Sequence, residues 1–314
     1  MSFVELMLTQ KKQGSTRVER IGHLIRWERF RYRLNKIVDR KGLGRPPYDI
    51  LCMFKATILQ HMYALSDVEM EEMLYDRLSF RRFCGFSLEE NLPDETTLCR
   101  FRNLLSGHGQ KLMDMVMEEL KVKGLNLKKG VIVDATLIES RSARPKGGEV
   151  SGTDPEAGWT KKRGQYVHGY KVHASVDAEN GLIQSTVITS ADIHDSLVFG
   201  TLLSADDGVV YADKAYGSAK NRKLLKDHGL EDCLLYKGGK NRPIRVWQKE
   251  LNKSWNKVRS GVERTFAHLK GNHGWRRTRY FGLESNETFI SLSCIAYNLR
   301  RAEKILRPPT SITG

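Results

Sequence analysis

The features that mark membrane and secreted proteins are missing from this 314-residue sequence. No apolar run approaches the roughly 18 residues that a membrane-spanning helix needs. The amino-terminal sequence MSFVELMLTQKKQ lacks the apolar core of a signal peptide. We therefore expect a cytosolic protein that has no membrane partner.

Cysteine and proline are also scarce. The five cysteines are odd in number, widely spaced and without a CxxC pair. This pattern excludes a disulfide framework and a zinc site, and it predicts reduced thiols that are mostly buried. Eight prolines and 40% hydrophobic residues favour a folded chain over a disordered one. The length suits one catalytic domain and a smaller domain.

Acidic residues are few relative to basic ones, and the formal net charge is +15. Such a charge points to a polyanionic partner or an anionic membrane surface. Residues 237–280 alone contain 13 basic and 2 acidic residues, a net charge of +11. The tryptophans interleaved in this segment offer stacking surfaces for bases, although core positions fit them equally well.

The first 125 residues are predicted to form a helical domain. Ser66 followed by Glu69 is typical of a capping box, Asp94 precedes the helical sequence ETTLCRFRNLL, and residues 109–121 have helical spacing. Short helices joined by tight turns fit a helix-turn-helix-like DNA-binding domain. They also fit a plain helical bundle.

From Val131 the pattern predicts a mixed α/β domain over residues 126–308, followed by a tail at 309–314. The runs VIVDATLI, YKVHASVD, LIQSTVITS, GVVYAD and DCLLYK are typical of strands. Residues 191–203, the sequence SAKNRKLLKDHG, the stretch through Glu263 and residues 287–305 are predicted to be helical. The polar residues 141–167 are expected to form a long exposed loop.

Three acidic residues occupy positions where a structural protein rarely places them. Asp134 interrupts the apolar run GVIVDATLI, Asp213 closes GVVYAD, and Glu263 lies in the basic helical sequence KVRSGVERTFAHLK. An unpaired carboxylate in an apolar strand is costly, so such a residue usually has a partner. The structural alternative for each aspartate is an exposed strand end or a capped carboxylate. A divalent metal ion is the partner that favours chemistry on phosphodiesters.

The third acid shares a helix face with basic residues. Arg259, Glu263, Phe266 and Lys270 fall within about 60° on an ideal helix, in a stripe about 16 Å long. One interpretation is a solvated face on which Arg259 and Glu263 pair at i, i+4. In the other, Glu263 binds metal while Arg259 and Lys270 hold phosphates. The charge of residues 237–280 favours the second.

Two strand carboxylates and one helical carboxylate predict a site for two Mg²⁺ ions roughly 3.5–4 Å apart. Mn²⁺ is expected to substitute for Mg²⁺. One ion would help to deprotonate water or a 3′-hydroxyl, and the other would stabilise the leaving oxygen. Such a site requires no protein nucleophile.

Several motifs together resemble the DDE transposases of bacterial insertion sequences, in the fourth and fifth insertion-sequence families. They are VDATLIES, SADIHDS, YADKAYGS, the Arg259/Glu263/Lys270 pattern and GLESNETFISLSCIAYNLRRA, and the resemblance covers nearly the whole chain. It implies an RNase H-like mixed β-sheet flanked by helices and preceded by the helical domain. It also implies that Asp134, Asp213 and Glu263 are metal-binding catalytic acids, and that Arg259 and Lys270 contact transposon-end DNA. A bacterial, nucleoid-associated location follows from the same resemblance.

Further basic residues near these positions are predicted to contact DNA. Lys214 and Tyr216 adjoin Asp213 and are expected to reach the scissile phosphate. Three arginines of the basic segment are predicted to add DNA contacts: Arg264, Arg276 and Arg277.

Four residues near the predicted strands carry weaker predictions. His194 and Asp195 are candidates for orienting the metal site, with helix capping as the alternative for Asp195. His168 and His173 are expected to be ordinary hydrogen-bonded residues.

The sequence departs from the family pattern at two places. Asn256 stands where the family signature often has a tyrosine, three residues before the arginine. Asp213 and Glu263 are only 50 residues apart, which leaves no room for the large β-rich insertion domain of some relatives.

These features favour a metal-dependent transposase that binds the inverted-repeat ends of its element, nicks them and joins the 3′-hydroxyls to target DNA. Its expected partners are double-stranded DNA and a second copy of the chain on DNA, with no small-molecule substrate. The alternatives are a non-catalytic DNA-binding repressor or domesticated relative, and a non-transposing nuclease with the same fold.

Overall fold

The computed structural model describes residues 16–38, 48–125, 130–146, 149–162, 164–239 and 242–307. The described residues group into two compact units. A helical unit takes those within 1–125 and 291–314, and a second unit takes those within 126–290. The predicted tail at 309–314 lies outside the described residues. Within the described ranges, no helix is both long enough and apolar enough to cross a membrane.

The helical unit is built from short helices with defined ends. Ser66 forms the predicted capping box with Glu69, and the Asp94 side chain accepts a hydrogen bond from the Thr97 amide. The helices are α1 (Arg17–Gly22), α2 (Glu28–Ile37), α3 (Ile50–Tyr63), α4 (Asp67–Asp76), α5 (Leu78–Cys84), α6 (Glu95–Leu104) and α7 (Gly109–Val122).

Aromatic packing and ion pairs to a buried glutamate stabilise this unit. The rings of Phe30 and Phe54 stack at 5.5 Å, and Trp27 meets Phe83 edge to face at 5.5 Å. The buried Glu119 accepts hydrogen bonds from Arg26 and Arg29. The division into a DNA-binding domain and a catalytic domain stays a prediction about function.

The second unit contains a mixed sheet of the strands β1 (Val131–Glu139), β2 (Gly158–Lys162), β3 (Gln165–Asp177), β4 (Ile183–Ser190), β5 (Val209–Ala212) and β6 (Glu231–Leu234). The strand order is β2-β3-β1-β5-β6, and β4 pairs with β3 on the same edge as β2. Strands β3 and β4 are antiparallel to their neighbours, whereas β5 and β6 run parallel to β1. This is the RNase H-like arrangement, so the predicted fold class is confirmed.

Helices cover both faces of this sheet. Val131 and Val133 face a buried cluster with Phe199 and Leu225, whereas Ile132 points to the opposite face because side chains alternate along a strand. There the Ile132 side chain lies 3.5 Å from the position that a Cβ on Gly261 would take. The remaining helices are α8 (Ala219–Asp227), α9 (Val246–Asn272) and α10 (Leu283–Leu306).

The segment 141–167 differs from the exposed loop expected for it. Strand β2 and the start of β3 form a hairpin in which Gly158 pairs with Gly169 and Lys162 with Gln165. The preceding residues are anchored by Asp154, which is fully buried and accepts hydrogen bonds from Ser140 and Tyr170. Many described residues of the segment are exposed, as the polar composition predicted. The expected loop is nevertheless a strand hairpin preceded by a buried carboxylate that hydroxyl donors satisfy.

Residues 191–203 also differ from the predicted helix. They form two short 3₁₀ turns, Asp195–Leu197 and Phe199–Leu202. The β-branched Val198 and the glycine at 200 favour an α-helix only weakly. Phe199 and Leu202 are buried against the sheet, so packing fixes the short turns.

Candidate active site

Asp134 and Asp213 lie next to each other on neighbouring parallel strands. The last residue pair between β1 and β5 is Val133 with Ala212, so the two aspartates follow at the same end of this strand pair. Side chains alternate along both strands, and Val133 and Ala212 face the buried cluster. Both carboxylates therefore lie on the opposite face, which is the face that α9 covers.

The backbone at each aspartate holds its carboxylate in place. The Asp134 Oδ1 accepts a hydrogen bond of 2.8 Å from the Ala135 amide. The Asp213 Oδ1 accepts one of 2.8 Å from the Lys214 amide and caps the 3₁₀ turn Lys214–Tyr216. These contacts fix one oxygen of each carboxylate. At Asp213 the chain also leaves β5 and enters the turn.

Helix α9 brings the third acid to this face. Its buried stripe consists of Val262, Thr265, Phe266 and Leu269, at the spacing that packs one helix face on a sheet. Glu263 is adjacent to this stripe, and its side chain is 66% exposed. The glutamate is therefore placed by the helix at the border between the packed face and solvent.

Arg259 connects the helix to the strand. Its Nη1 lies 2.8 Å from the Asp134 Oδ2, and its Nη2 lies 3.6 Å from the Glu263 Oε1. The Arg259–Asp134 pair is largely buried, with 16% and 20% of the side chains exposed. The i, i+4 pair considered from the sequence is thus present, but the stronger contact of Arg259 is with the strand aspartate.

The electrostatics of the site follow from burial and excess negative charge. Burial raises the pKa of Asp134 above its usual range, and the charges of Asp213 and Asp195 raise this pKa further. The Arg259 guanidinium and the Ala135 amide act in the opposite direction. The site therefore concentrates carboxylates that need a cation to remain ionised together.

The chemistry of these side chains fits a divalent cation. Carboxylate oxygens are the ligands that Mg²⁺ prefers, and Asp134 and Asp213 are adjacent on one face of the sheet. Within the described ranges, no group of three or more His, Cys, Asp or Glu side chains is close enough to hold a metal ion. The cation that contacts Asp134 in the structure is the Arg259 guanidinium. That Asp134, Asp213 and Glu263 together bind metal stays a prediction.

Two polar residues near the aspartates have structural partners. Asp195 pairs with Lys171 at 2.7 Å, and the cap of its 3₁₀ turn is the neighbouring His194, whose ring accepts from the Ser196 amide. The capping role considered for Asp195 therefore belongs to His194. The buried His173 contacts the Thr189 hydroxyl at 3.1 Å, as expected for an ordinary hydrogen-bonded histidine.

Tyr216 differs from the predicted DNA contact. Its side chain is fully buried, and its ring lies 5.5 Å from that of Phe199. Burial raises the pKa of the Tyr216 hydroxyl, and the nearby charges of Asp195 and Asp134 raise it further. The residue packs beneath the site, whereas the adjacent Lys214 is exposed.

The remaining predicted DNA-binding residues differ in their environments. Lys270 is half-buried, and Arg264 and Arg276 are exposed. Arg277 is exposed as well, but its guanidinium donates to the carbonyl oxygens of Ser140 and Arg141. It therefore also anchors the chain after β1. Whether these residues contact DNA stays a prediction.

The tryptophans of the basic segment divide between core and surface. Trp275 is fully buried, which assigns it to the core, and Trp247 is 46% exposed. Trp255 stacks on Tyr236 with ring centroids 5.7 Å apart. The sequence left both interpretations open, and the structure supports a core position for Trp275.

Sequence reasoning missed the buried Asp154, because it was assigned to the exposed loop. For Asp154 the sequence carried no signal, since its partners Tyr170 and the Gly282 amide are remote along the chain.

Two family models match the chain. A family model described as "Transposase DDE domain" matches residues 126–299, more than half of the chain. A second, described as "Transposase domain (DUF772)", matches residues 6–104. Among solved structures, the cryo-EM structure of the piggyBac transposase synaptic complex with hairpin DNA matches with a TM-score of 0.39 and 11% sequence identity. That match covers 92% of this chain and 80% of the other.

Proposed function

We propose, given that the chain belongs to the family of DDE transposases, that it binds the inverted-repeat ends of its own insertion sequence, cleaves them by metal-dependent hydrolysis and joins the 3′-hydroxyl ends to target DNA. One observation carries the proposal. Asp134 and Asp213 lie side by side on parallel strands, and Arg259 joins Asp134 to Glu263 across the face of the sheet.

In this proposal Asp134, Asp213 and Glu263 hold the divalent ions. Two Mg²⁺ ions, or Mn²⁺ in their place, would activate a water or 3′-hydroxyl and stabilise the leaving oxygen. The turn after Asp213 fixes one carboxylate oxygen through the Lys214 amide. Burial on the sheet face raises the pKa of Asp134, so this carboxylate holds its charge best beside a cation.

Arg259 has two roles in this scheme. Its ion pair with Asp134 neutralises the buried carboxylate, and its fork of N–H donors suits a DNA phosphate. The exposed Lys214 adjoins Asp213 and suits a phosphate as a point charge. The helical unit is proposed to recognise the element ends, and a homodimer on DNA would supply one active site for each end.

The proposal is tested by Glu263→Gln, with Glu250→Gln as a matched control. Both glutamates are exposed residues of α9, so the two variants make the same change on one helix. We expect E263Q to reduce cleavage and joining by about 100-fold or more, because a metal ligand is lost. E250Q should retain both activities. The assay combines a labelled duplex carrying the terminal inverted repeat, Mg²⁺ and a plasmid target.

Binding of the same duplex is measured by gel shift without divalent metal, and E263Q should retain it. Retained strand transfer by E263Q would overturn the assignment of the site. Cleavage without joined product by the wild-type protein would favour the non-transposing nuclease. Binding with no chemical product would favour the repressor or domesticated relative.

A further inference from the structure

Helix α2 packs one side into the helical unit and presents the other side to solvent. Phe30 and Leu34 are fully buried, and the Phe30 ring stacks on that of Phe54 in α3. At about 100° per residue, four side chains fall within about 120° of one another and opposite this buried stripe. These four exposed residues are named the α2 face: Arg29, Tyr32, Asn35 and Lys36.

The charge of the helical unit is uneven, and α1 and α2 carry much of its positive part. Residues 17–37 contain seven basic and two acidic residues, a net charge of +5. On the α2 face the Lys36 ammonium lies 4.4 Å from the centre of the Tyr32 ring. Helix α4 (Asp67–Asp76), in contrast, contains five acidic and no basic residues. A polyanion is therefore attracted to the surface of α1 and α2 rather than to that of α4.

The turn between α1 and α2 is held by hydrogen bonds. The Trp27 indole donates to the Gly22 carbonyl oxygen at 2.9 Å. The Arg26 amide donates to the buried Glu119 carboxylate at 3.0 Å. The guanidinium groups of Arg26 and Arg29 donate to the same carboxylate. These contacts fix the direction of α2, so no ordering of the helix has to accompany binding of a ligand.

Two other helices of this unit follow turns, α4 and α6, and their charges disfavour contact with DNA. Recognition helices place their amino-terminal residues against base edges. Helix α6 begins with Asp94 as its cap and Glu95 in its first turn, and acids there repel phosphates. Its Arg102 is buried and pairs with Asp67 of α4. The basic, exposed and fixed surface of the helical unit is thus the α2 face.

We infer that α2 lies in the major groove of duplex DNA at the element end, with the α2 face against the DNA. The inference rests on the proposed function, because it assigns end recognition by the helical unit to one helix. The helix is about 15 Å long, and the major groove, roughly 12 Å wide, admits a helix. Lysine and tyrosine suit phosphate oxygens, whereas the Asn35 amide suits the edge of an adenine.

Contact with the DNA backbone is tested by Lys36→Gln in the full chain, with Lys111→Gln as the matched control. Lys111 is an exposed lysine of α7, about 12 Å along that helix from the Glu119 that meets α2. Binding is measured by fluorescence anisotropy without divalent metal, over a range of salt concentrations. Two labelled duplexes are used, one carrying the terminal inverted repeat and one of mixed sequence.

For K36Q we expect a roughly fivefold higher Kd on both duplexes and a loss of about 0.9 in the slope of log K against log salt. The reason is that one phosphate contact is lost whatever the DNA sequence. Lys36→Arg keeps the charge and should restore the slope. K111Q should retain the wild-type values.

Readout of the DNA sequence is tested by Asn35→Ala, with Asn103→Ala as its control. Asn103 is an exposed asparagine of α6, and alanine favours a helix at both positions. N35A should raise the Kd about tenfold on the inverted-repeat duplex and leave it unchanged on the mixed one, because a base contact carries sequence information. N103A should bind both duplexes as the wild-type protein does. Thermal unfolding followed by circular dichroism checks the fold of each variant.

An unchanged Kd on the inverted-repeat duplex for either K36Q or N35A would overturn the inference, as would equal losses in the controls. Normal DNA binding by K36Q together with lost self-association in gel filtration would assign the α2 face to a protein interface and overturn it as well. If the wild-type protein binds the end duplex but joins no DNA ends, the proposed chemistry fails, and the contact by α2 is still decided by the variants. If the wild-type protein binds neither duplex, both are overturned.

Discussion

At the residue scale, Arg259 determines how the candidate site is organised. Its guanidinium lies 2.8 Å from Asp134 and 3.6 Å from Glu263. A buried carboxylate is costly unless it is paired, so this contact stabilises Asp134 on the sheet face. The acids are thus stabilised in the fold before any ligand binds.

His173 provides a prediction at the same scale. Burial lowers the pKa of His173 to about 4 from its usual 6.5, with Asp195 opposing and Lys171 reinforcing this effect. The unfolded chain therefore binds a proton between pH 6.5 and 4 that the folded protein does not bind. The contribution of the neutral His173 ring to the free energy of unfolding is fully present above pH 6.5. It is lost as pH falls towards 4, by up to about 3 kcal/mol.

Urea unfolding measured at neutral pH and in mild acid checks this prediction. In His173→Gln the free energy of unfolding should fall less with decreasing pH than in the wild-type protein. His228→Gln, which replaces an exposed histidine, is the control and should follow the wild-type dependence. Equal pH dependence in H173Q and the wild-type protein would contradict the prediction.

At the element scale, the β2–β3 hairpin depends on a close approach of strands. Its first strand, β2, pairs with residues 165–169 of β3, and Gly169 also pairs with Glu139 at the end of β1. Asp154, just before β2, accepts hydrogen bonds from Tyr170 of β3 and from the Gly282 amide. The hairpin is thus held at its base by backbone contacts and by a buried carboxylate. It is part of the sheet rather than an appended loop.

Gly169→Ala tests the role of this junction. The added Cβ would lie 2.2 Å from the Ile138 carbonyl oxygen and 2.7 Å from the Ser140 amide nitrogen. Backbone must therefore shift, and we expect a loss of about 2 kcal/mol or more in the free energy of unfolding. Gly152→Ala is the matched control, because a Cβ there meets nothing within 4 Å. Urea unfolding of both variants is the measurement, and equal stabilities would contradict the argument.

At the scale of the whole molecule, the last helix contributes residues to both compact units. Residues 291–306 of α10 group with the helical unit. Within that unit Ser293 meets His61 at 3.1 Å, and Glu303 pairs with Arg20 at 2.6 Å. Ile295 and Leu299 are fully buried. The amino-terminal helices therefore share a core with a segment that is remote in sequence.

A fragment of residues 1–125 should consequently fold poorly without that segment. Burying a side chain such as Ile295 or Leu299 contributes about 1.5–3 kcal/mol, and the fragment lacks both. Adding a peptide of residues 283–307 should restore a cooperative thermal transition, followed by circular dichroism. A peptide with Ile295→Asp and Leu299→Asp should not. A fragment that unfolds cooperatively at the same temperature with and without peptide would contradict this account.

Much of the fold was predictable from local patterns. Capping residues such as Ser66 and Asp94 and the strand runs around Asp134 and Asp213 are short-range signals, and the structure has these elements where they were predicted. The hairpin within 141–167 was missed because it is stabilised by long-range contacts. Tyr216 was misassigned because its burial depends on Phe199, which lies on a separate turn.

By itself the sequence determined the positive charge, most of the element order and the positions of the three candidate acids, because composition and periodicity are local properties of the chain. Only the tertiary structure decided which groups meet. Parallel pairing of β1 with β5 puts Asp134 beside Asp213, and packing of α9 brings Arg259 to Asp134, 125 residues away. Strand register and helix packing arise from burial summed over many residues, so no single motif specifies those contacts.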